Sequence, residues 1–225
     1  MTAVVGVPGT VCSPAVFDPV AALVPGVRAV SWMTAPGPWT VPAVAARIAG
    51  DLTAPVVLVG HSTGGAIATT LAAARPDLVV GLVLVDTGAH MRRHGDVDAI
   101  IDRFAAQWGR EALSAVLDRS FATPPPPDVR AQLLAYAEAV PREAAVEVLR
   151  SQRDLDLTDV LPTITCPAAV VHGVHDRARS SAEAEELAAL LPDAELSWAD
   201  CGHTPVYEES AVVAAAIRSV LDRTP

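Results

Sequence analysis

One short segment of the chain has the composition of a nucleophilic turn. Residues 60–65 have the sequence GHSTGG, directly after the apolar run Val56–Val59 and directly before the helical pattern Ala66–Ala74. A sharp strand-to-helix turn needs small residues on both sides of its centre, and it lifts a serine hydroxyl out of the sheet. Backbone N–H groups at the helix start then face a developing negative charge. The spacing therefore predicts that Ser62 is a nucleophile.

A histidine near the end of the chain suits the role of general base. His203 lies in the sequence DCGHTP at residues 200–205, between the last apolar run and the last helical pattern. Loops at the carboxyl edge of an open α/β sheet surround the place where ligands bind. Of the six histidines, His203 combines a position after the last strand pattern with a preceding glycine. We therefore predict that His203 takes the proton of Ser62.

Alternating strand and helix patterns must position these two side chains. Short runs of Val, Leu and Ala without alternation are typical of parallel strands buried on both faces. Six such runs occur: Ala3–Val7, Val27–Trp32, Val56–Gly60, Leu82–Asp86, Ala168–His172 and Ala194–Trp198. Apolar residues three or four apart predict helices at Val41–Asp51, Gly64–Arg75, Ala182–Leu191 and Val206–Leu221. The pattern predicts one α/β domain over residues 1–225, a three-layer sandwich around a mostly parallel sheet of about six strands.

One stretch of the chain, from about residue 87 to 165, contains helical patterns and no strand pattern. The predicted helices are Val97–Trp108, Glu111–Phe121, Val129–Ala139 and Arg142–Arg150. The prolines Pro124–Pro127 separate the second from the third, because proline cannot continue a helix. The stretch is too short and too interrupted for an independent domain. We therefore predict a helical insertion between two strands.

Three motifs together resemble the α/β-hydrolase superfamily, and the resemblance extends over roughly residues 4–221. They are GHSTGG at 60–65, HGVHDR at 172–177 and DCGHTP at 200–205. The family order is nucleophile, acid, histidine, which implies that Asp176 is the acid. A carboxylate there fixes the imidazole tautomer and stabilises the imidazolium. Asp86 is the alternative, since some relatives place the acid after that strand; its other expected role is hydrogen bonding within its own loop.

The resemblance also implies an oxyanion hole, and two departures from the family pattern. The Thr63 N–H, directly after the nucleophile, is one donor. Relatives commonly carry His-Gly after the first strand, where this chain has Pro8-Gly9, so the alignment implies Thr10 as the second donor and Val11 as the alternative. The strands that usually precede the first strand are missing from this chain, which predicts a smaller sheet.

The branch that the whole chain resembles most is that of small capped esterases and enol-lactone hydrolases. It implies hydrolysis of a small, mainly apolar carboxylic ester or lactone through an acyl-enzyme, with the insertion as a helical cap. We expect Trp32, at a strand end, and Trp108 and Phe121, in the insertion, to contact the substrate. The alternatives are a carbon–carbon bond hydrolase, an acyltransferase or a cofactor-free oxygenase on the same triad, or a non-enzymatic small-ligand receptor.

The composition excludes several classes of protein. Hydrophobic residues make up 51% and charged residues 19%, which favours a folded globule. The formal charge of −10, without a basic run, argues against nucleic acid or an anionic membrane as partner. The first ten residues lack the charged region of a signal peptide, and no apolar run approaches the roughly 18 residues that span a bilayer. We expect a cytoplasmic protein.

The side chains that commonly bind metals form no metal-binding pattern. Cys12, Cys166 and Cys201 are too few and too scattered for a disulfide framework or a zinc cluster. Four further histidines form no pair with metal-ligand spacing supported by carboxylates: His90, His94, His172 and His175. No Gly-x-Gly-x-x-Gly sequence follows the first strand, so a dinucleotide site is not indicated. We predict neither a metal nor a cofactor.

Overall fold

The computed structural model describes residues 2–224 and contains one sheet of six parallel strands. The strands are β1 (Ala3–Val7), β2 (Val27–Ala29), β3 (Val56–His61), β4 (Val79–Val85), β5 (Ala168–Gly173) and β6 (Ala194–Ala199). Their order in the sheet is β2-β1-β3-β4-β5-β6, and each neighbouring pair is parallel. The predicted fold class is confirmed, with a sheet that is entirely parallel over the described residues.

Helices cover both faces of the sheet. They are α1 (Asp18–Leu23), α2 (Val41–Asp51), α3 (Thr63–Ala74), α4 (Val97–Ala106), α5 (Arg110–Arg119), α6 (Pro127–Ala139), α7 (Arg142–Arg153), α8 (Ser181–Leu190), α9 (Pro205–Glu208) and α10 (Ser210–Arg223). Local capping explains where some begin. The Thr40 hydroxyl accepts the Ala43 N–H at the start of α2, and Ser180 and Glu183 form a capping box at the start of α8.

The core lies in two layers, because successive side chains of a strand point to opposite faces. One layer joins strand residues to α2, α3 and α8; its strand residues include Val5, Val7, Leu58, Leu82, Leu84 and Val170. The other layer joins the alternate residues to α1 and α10; they include Val4, Val57, Val59, Val83, Val85 and Val171. Buried on both faces, these strands have no polar alternation, which is why they appear as apolar runs.

The helices α4–α7 lie between β4 and β5, and residues 87–165 contain no strand. The sequence predicts each of these four helices, and the observed ends differ from the predicted ones by three residues or fewer. Within residues 2–224, no helix has the length and apolar composition that crossing a membrane requires.

Four elements differ from the predicted pattern. The strand β2 ends at Ala29, not at Trp32, the strand β4 begins at Val79, not at Leu82, and the helix α1 is missing from the prediction. The predicted helix Val206–Leu221 is two helices, α9 and α10, because Glu209 has φ −126° and ψ 49°, outside the helical region.

Candidate active site

The turn between β3 and α3 holds Ser62 in a strained conformation. Its backbone has φ 55° and ψ −124°, and its N–H donates to the Val85 carbonyl at 2.9 Å. Such strain persists only where the surroundings enforce it. Close packing enforces it here: a Cβ on Gly64 would lie 1.9 Å from the Val7 carbonyl oxygen. The glycine lets the turn pass over β1, and the half-buried serine lies at the carboxyl edge of the sheet.

Three predicted side chains form a continuous hydrogen-bonded line. His203 Nδ1 lies 2.7 Å from Asp176 Oδ2, and His203 Nε2 lies 3.0 Å from Ser62 Oγ. An ionised carboxylate only accepts, so Nδ1–H donates to Asp176. Nε2 therefore carries the lone pair and accepts the Ser62 hydroxyl proton. The loops after β3, β5 and β6 bring these residues together from positions 141 and 27 residues apart in sequence.

The two titratable groups of this line shift each other's pKa. Burial raises the pKa of Asp176, but the His203 charge, the hydrogen bond with it and the N–H groups of Ala178 and Arg179 outweigh this, so the pKa lies below its usual range. Burial lowers the pKa of His203, but the Asp176 charge and hydrogen bond outweigh it, so that pKa is raised. The pair thus favours an ionised carboxylate beside an imidazole that readily takes a proton.

His61 supports the loop that carries His203. Its Nε2 lies 2.6 Å from the His203 carbonyl oxygen, and since a carbonyl only accepts, Nε2–H is the donor. Burial, followed by the repulsion of a charged His203, lowers the pKa of His61 to about 3. His61 is therefore neutral near pH 7 and fixes backbone without competing for the proton of Ser62.

Asp86, the alternative acid, has different partners. It is fully buried with φ 45°; its Oδ1 accepts the Gly173 N–H at 2.8 Å and lies 2.9 Å from His172 Nδ1. Burial is the largest cause that raises the pKa of this carboxyl. Its hydrogen bond reaches the end of the neighbouring strand, not its own loop. The carboxylate that contacts His203 is that of Asp176.

The same region contains a group of possible metal ligands. Asp86, His172 and Asp176 each place one ligand atom within 4.8 Å of the others. The chemistry of these donors matches hydrogen bonding better than metal binding, because Asp176 already accepts from His203 and His172 lies against Asp86. Asp176 therefore belongs to the Ser62–His203–Asp176 line, and Asp86 and His172 pack beside it.

Two backbone N–H groups near Ser62 are oriented by the start of α3 and by the turn after β1. Thr63 lies in the first turn of α3, where N–H groups have no partner inside the helix. In the turns and loops of residues 2–224, the Thr10 N–H makes no hydrogen bond, whereas the Val11 N–H donates to Met33 Sδ at 2.9 Å. Of the two alternatives in this turn, the geometry favours Thr10.

Gly9 lets this turn approach the nucleophile. A Cβ at this position would lie 2.9 Å from Ser62 Cβ and 3.3 Å from Ser62 Oγ. Any larger residue would push the turn, and the Thr10 N–H with it, away from the serine.

A cavity of about 130 Å³ opens between Ser62 and the helices α4–α7. Ser62, His203, Thr10 and Thr63 line one side. The opposite side is largely apolar and comes from residues 87–165; its members include Met91, Ile100, Phe104, Leu113, Phe121, Leu133 and Leu149. A mainly apolar wall with a few convergent polar groups is typical of a small-molecule site.

Two of the three predicted substrate contacts need correction. Phe121 lines the cavity, but Trp32 and Trp108 do not. The indole of Trp32 is buried and donates from Nε1 to the Pro8 carbonyl at 2.9 Å, so it braces the turn before Gly9 from behind. Trp108 packs beside Phe104 with ring centroids 5.7 Å apart and lines an adjoining groove between α4 and α5, which shares Phe104 with the cavity.

Sequence reasoning missed two polar residues around the site. Gln152 on α7 is buried, lines the cavity and accepts a hydrogen bond from the Thr63 hydroxyl at 2.9 Å. The Glu208 carboxylate on α9 accepts the N–H groups of Ala122, Thr123 and Gly202 at 2.8, 3.0 and 3.1 Å. These contacts link distant parts of the chain, and no local motif signals them.

Comparisons with known proteins give the family. A model of the alpha/beta hydrolase family matches residues 4–216. The lipase LipV of Mycobacterium tuberculosis is 34% identical over 202 residues, which cover 82% of this chain and 77% of that protein. A pimeloyl-(acyl-carrier protein) methyl ester esterase of Stenotrophomonas maltophilia is 31% identical over 194 residues, which cover 80% of this chain and 73% of that protein.

Solved structures show the same fold. The enol-lactonase from Burkholderia xenovorans matches with a TM-score of 0.87 at 22% identity, over 99% of this chain and 92% of that chain. A thermophilic esterase from Thermogutta terrifontis matches with a TM-score of 0.82 at 24% identity, over 99% of this chain and 90% of that chain. With the family model spanning nearly the whole chain, the protein belongs to the α/β hydrolase family.

Proposed function

We propose that this protein is a serine hydrolase that cleaves a small, mainly apolar carboxylic ester or lactone through an acyl-enzyme. The observation that carries the proposal is the hydrogen-bonded line Asp176–His203–Ser62, with distances of 2.7 and 3.0 Å. This arrangement has the geometry and the roles of a nucleophile, a base and an orienting acid.

Acylation begins with proton transfer from Ser62 Oγ to His203 Nε2. The serine oxygen bonds to the substrate carbonyl carbon, and the carbonyl oxygen becomes an oxyanion held by the Thr63 and Thr10 N–H groups. The imidazolium is stabilised by Asp176. It then gives its proton to the departing alkoxide as the carbon–oxygen bond breaks. The products are the free alcohol and an acyl group on Ser62; with a lactone, the alcohol stays attached to the acyl group.

Deacylation repeats the sequence with water. His203 takes a water proton, the hydroxide oxygen bonds to the acyl carbon, and the same N–H groups hold the second oxyanion. When the bond to Ser62 Oγ breaks, His203 returns the proton to the serine. The carboxylic acid leaves and the enzyme is restored, so no cofactor takes part in the cycle.

The cavity supports the substrate class. Its far wall is formed by apolar side chains of α4–α7, which suits an acyl chain or a lactone ring of modest size. The relatives point in the same direction by name: a lipase, a methyl ester esterase and an enol-lactonase. In this proposal the helices α4–α7 act as a cap over Ser62 and select the substrate.

The test is turnover of p-nitrophenyl esters and a panel of lactones, together with labelling by a fluorophosphonate probe. We expect the wild-type protein to do both. Ser62→Ala should lose labelling and about 10⁴-fold or more of the turnover rate, while its circular dichroism and melting temperature stay close to wild type. A Ser62→Ala protein that keeps activity would exclude this mechanism. Labelling without turnover of any ester or lactone would favour carbon–carbon cleavage, acyl transfer or a receptor.

A further inference from the structure

A line of side-chain hydrogen bonds runs from the insertion to both proposed oxyanion donors. Thr10 Oγ1 lies 2.8 Å from Thr63 Oγ1, and Thr63 Oγ1 lies 2.9 Å from Gln152 Oε1. Gln152 is on α7, 89 residues from Thr63 in sequence. The two threonines that contribute the backbone N–H groups are thus also joined through their side chains.

The direction of this line follows from chemistry. The amide oxygen of Gln152 only accepts, so the Thr63 hydroxyl must donate its single proton to it. Thr63 then has only lone pairs to offer Thr10, and the Thr10 hydroxyl becomes the donor. Each hydroxyl therefore has one orientation, and Gln152 determines both.

Burial makes this orientation persistent. Thr63 and Gln152 are buried, with 3% and 4% of their surfaces exposed. A buried hydroxyl that loses its acceptor has little water to replace it, so breaking the line is costly. Of the two threonines, Thr10 lies in a turn and is only partly buried. The Thr63 side chain is therefore its fixed support.

We propose that Gln152 is a positioning residue of the oxyanion hole: through Thr63 and Thr10, it fixes the relative position of the two N–H donors. The inference rests on the proposed function. It gives α7 a role in rate and not only in substrate selection. An oxyanion hole stabilises the transition state when its donors are held in place beforehand, so loosening them lowers kcat more than it raises KM.

The first test is Gln152→Leu, which keeps the approximate volume and removes the acceptor. Removing one oxyanion donor outright costs about 10²–10³ in kcat, so we expect a smaller loss, about tenfold, from misplacing donors, with KM changed less than about twofold. The inhibition constant of a trifluoromethyl ketone, which forms an oxyanion on Ser62, should rise by the same factor. Gln132→Leu on α6, where the glutamine is exposed, is the matched control and should leave these values unchanged.

The second test changes Thr63, the middle residue of the line. Thr63→Val removes the hydroxyl at nearly constant shape, and Thr63→Ser restores it, so Thr63→Ser should lose several-fold less kcat than Thr63→Val. If Gln152 acts through Thr63, the double variant Gln152→Leu/Thr63→Val should be only slightly slower than Thr63→Val alone. If Gln152→Leu proves too unstable to assay singly, Gln152→Met takes its place in every arm of the cycle, since it also removes the amide oxygen at nearly constant volume.

Two results would overturn the inference while the proposed function stands. One is wild-type kcat and ketone affinity in folded Gln152→Leu. The other is a full additional loss in the double variant, which would show that Gln152 and Thr63 act independently. Absence of ester and lactone turnover in the wild-type protein would instead contradict the proposed function, so the two failures are distinguishable.

Discussion

At the scale of single residues, the behaviour of His203 depends on two neighbouring carboxylates. Asp176 accepts the Nδ1–H of His203 and raises the pKa of the imidazole through its charge and this hydrogen bond. The buried Asp86 raises the same pKa through its charge alone. The neutral imidazole is the base, so activity is lost as the pH falls through the raised pKa. Below that value the His203 imidazole is already protonated and cannot accept the proton of Ser62.

The first prediction concerns this loss of activity at low pH, the acidic limb of the pH profile. We expect kcat/KM of the wild-type protein to fall on the acidic side with an apparent pKa above about 6.5, the ordinary value of histidine. Asp176→Asn should move the limb to lower pH, because burial then acts on His203 without the compensating carboxylate, and should lower turnover by about 10³–10⁴ through the wrong tautomer. The measurement is a pH profile of p-nitrophenyl ester hydrolysis.

Asp86→Asn is the matched control. The asparagine carbonyl can still accept the Gly173 N–H, and the residue has no contact with His203, so turnover should fall far less. If Asp86→Asn proves the more damaging change, or if Asp176→Asn leaves the limb in place, the acid is assigned wrongly.

Residues carried by a local motif were predictable, and residues fixed by distant contacts were not. Ser62 and His203 follow from a strand, a turn and small neighbours, and the family resemblance added Asp176; the structure places all three in one hydrogen-bonded line. Gln152 lies in an ordinary amphipathic helix, and only packing brings it to Thr63. Trp32 lies in the loop after β2, which ends at Ala29, and its indole binds the Pro8 carbonyl; strand alternation does not determine the direction of a loop side chain.

At the scale of elements, the turn from β3 to α3 depends on a glycine pressed against β1. We predict that Gly64→Ala destabilises the protein by several kcal/mol, since its Cβ would lie 1.9 Å from the Val7 carbonyl and backbone has to move. The measurement is the free energy of unfolding in urea.

Gly50→Ala serves as the control for this prediction. Gly50 lies in α2, and a Cβ there meets no atom within 4 Å. Alanine favours the helix over glycine by up to about 1 kcal/mol, so this variant should be as stable as wild type or slightly more so. A stable Gly64→Ala protein would mean that the turn can shift away from β1.

The elements themselves were predictable where burial is uniform. Strands β1, β3 and β5 match their apolar runs to within one residue because nearly all their residues are buried. The edge strand β6 matches as closely, although only Ala199 in it is buried. The helix α1 escaped prediction because Pro19 resembles a loop signal, although proline is well tolerated in the first turn of a helix. The break between α9 and α10 at Glu209 lies beside tertiary contacts: the Glu208 carboxylate binds backbone N–H groups of the insertion and of the His203 loop, and the local sequence does not show such contacts.

At the scale of the whole molecule, the insertion is joined to the site at several points. Glu208 binds Ala122, the Thr204 hydroxyl donates to the Ser120 carbonyl at 3.0 Å, and Gln152 holds Thr63. The residues next to His203 therefore contact the segment that follows α5, and the start of α3 contacts α7. The helices α4–α7 complete the cavity wall, so changes in them should affect which substrate is accepted.

The last prediction tests this directly with two aromatic residues of the insertion. Phe121 lines the cavity and also packs against Tyr207, with ring centroids 5.8 Å apart, so Phe121→Leu removes volume at the cavity wall while keeping the site apolar. Longer acyl chains should gain relative to short ones, by several-fold for each methylene that becomes well packed, since each is worth about 0.8 kcal/mol. The measurement is the profile of kcat/KM against acyl chain length.

Trp108→Leu is the control for this profile, because Trp108 lines the adjoining groove between α4 and α5 and does not itself line the cavity. Its profile should superimpose on that of the wild type, and fluorophosphonate labelling should persist in both variants, since a small probe needs Ser62 more than the cavity wall. If the Phe121→Leu profile also superimposes on wild type, Phe121 serves only to pack the insertion against α9. A shift in the Trp108→Leu profile alone would place the acyl chain in the groove between α4 and α5, beyond the cavity at Ser62.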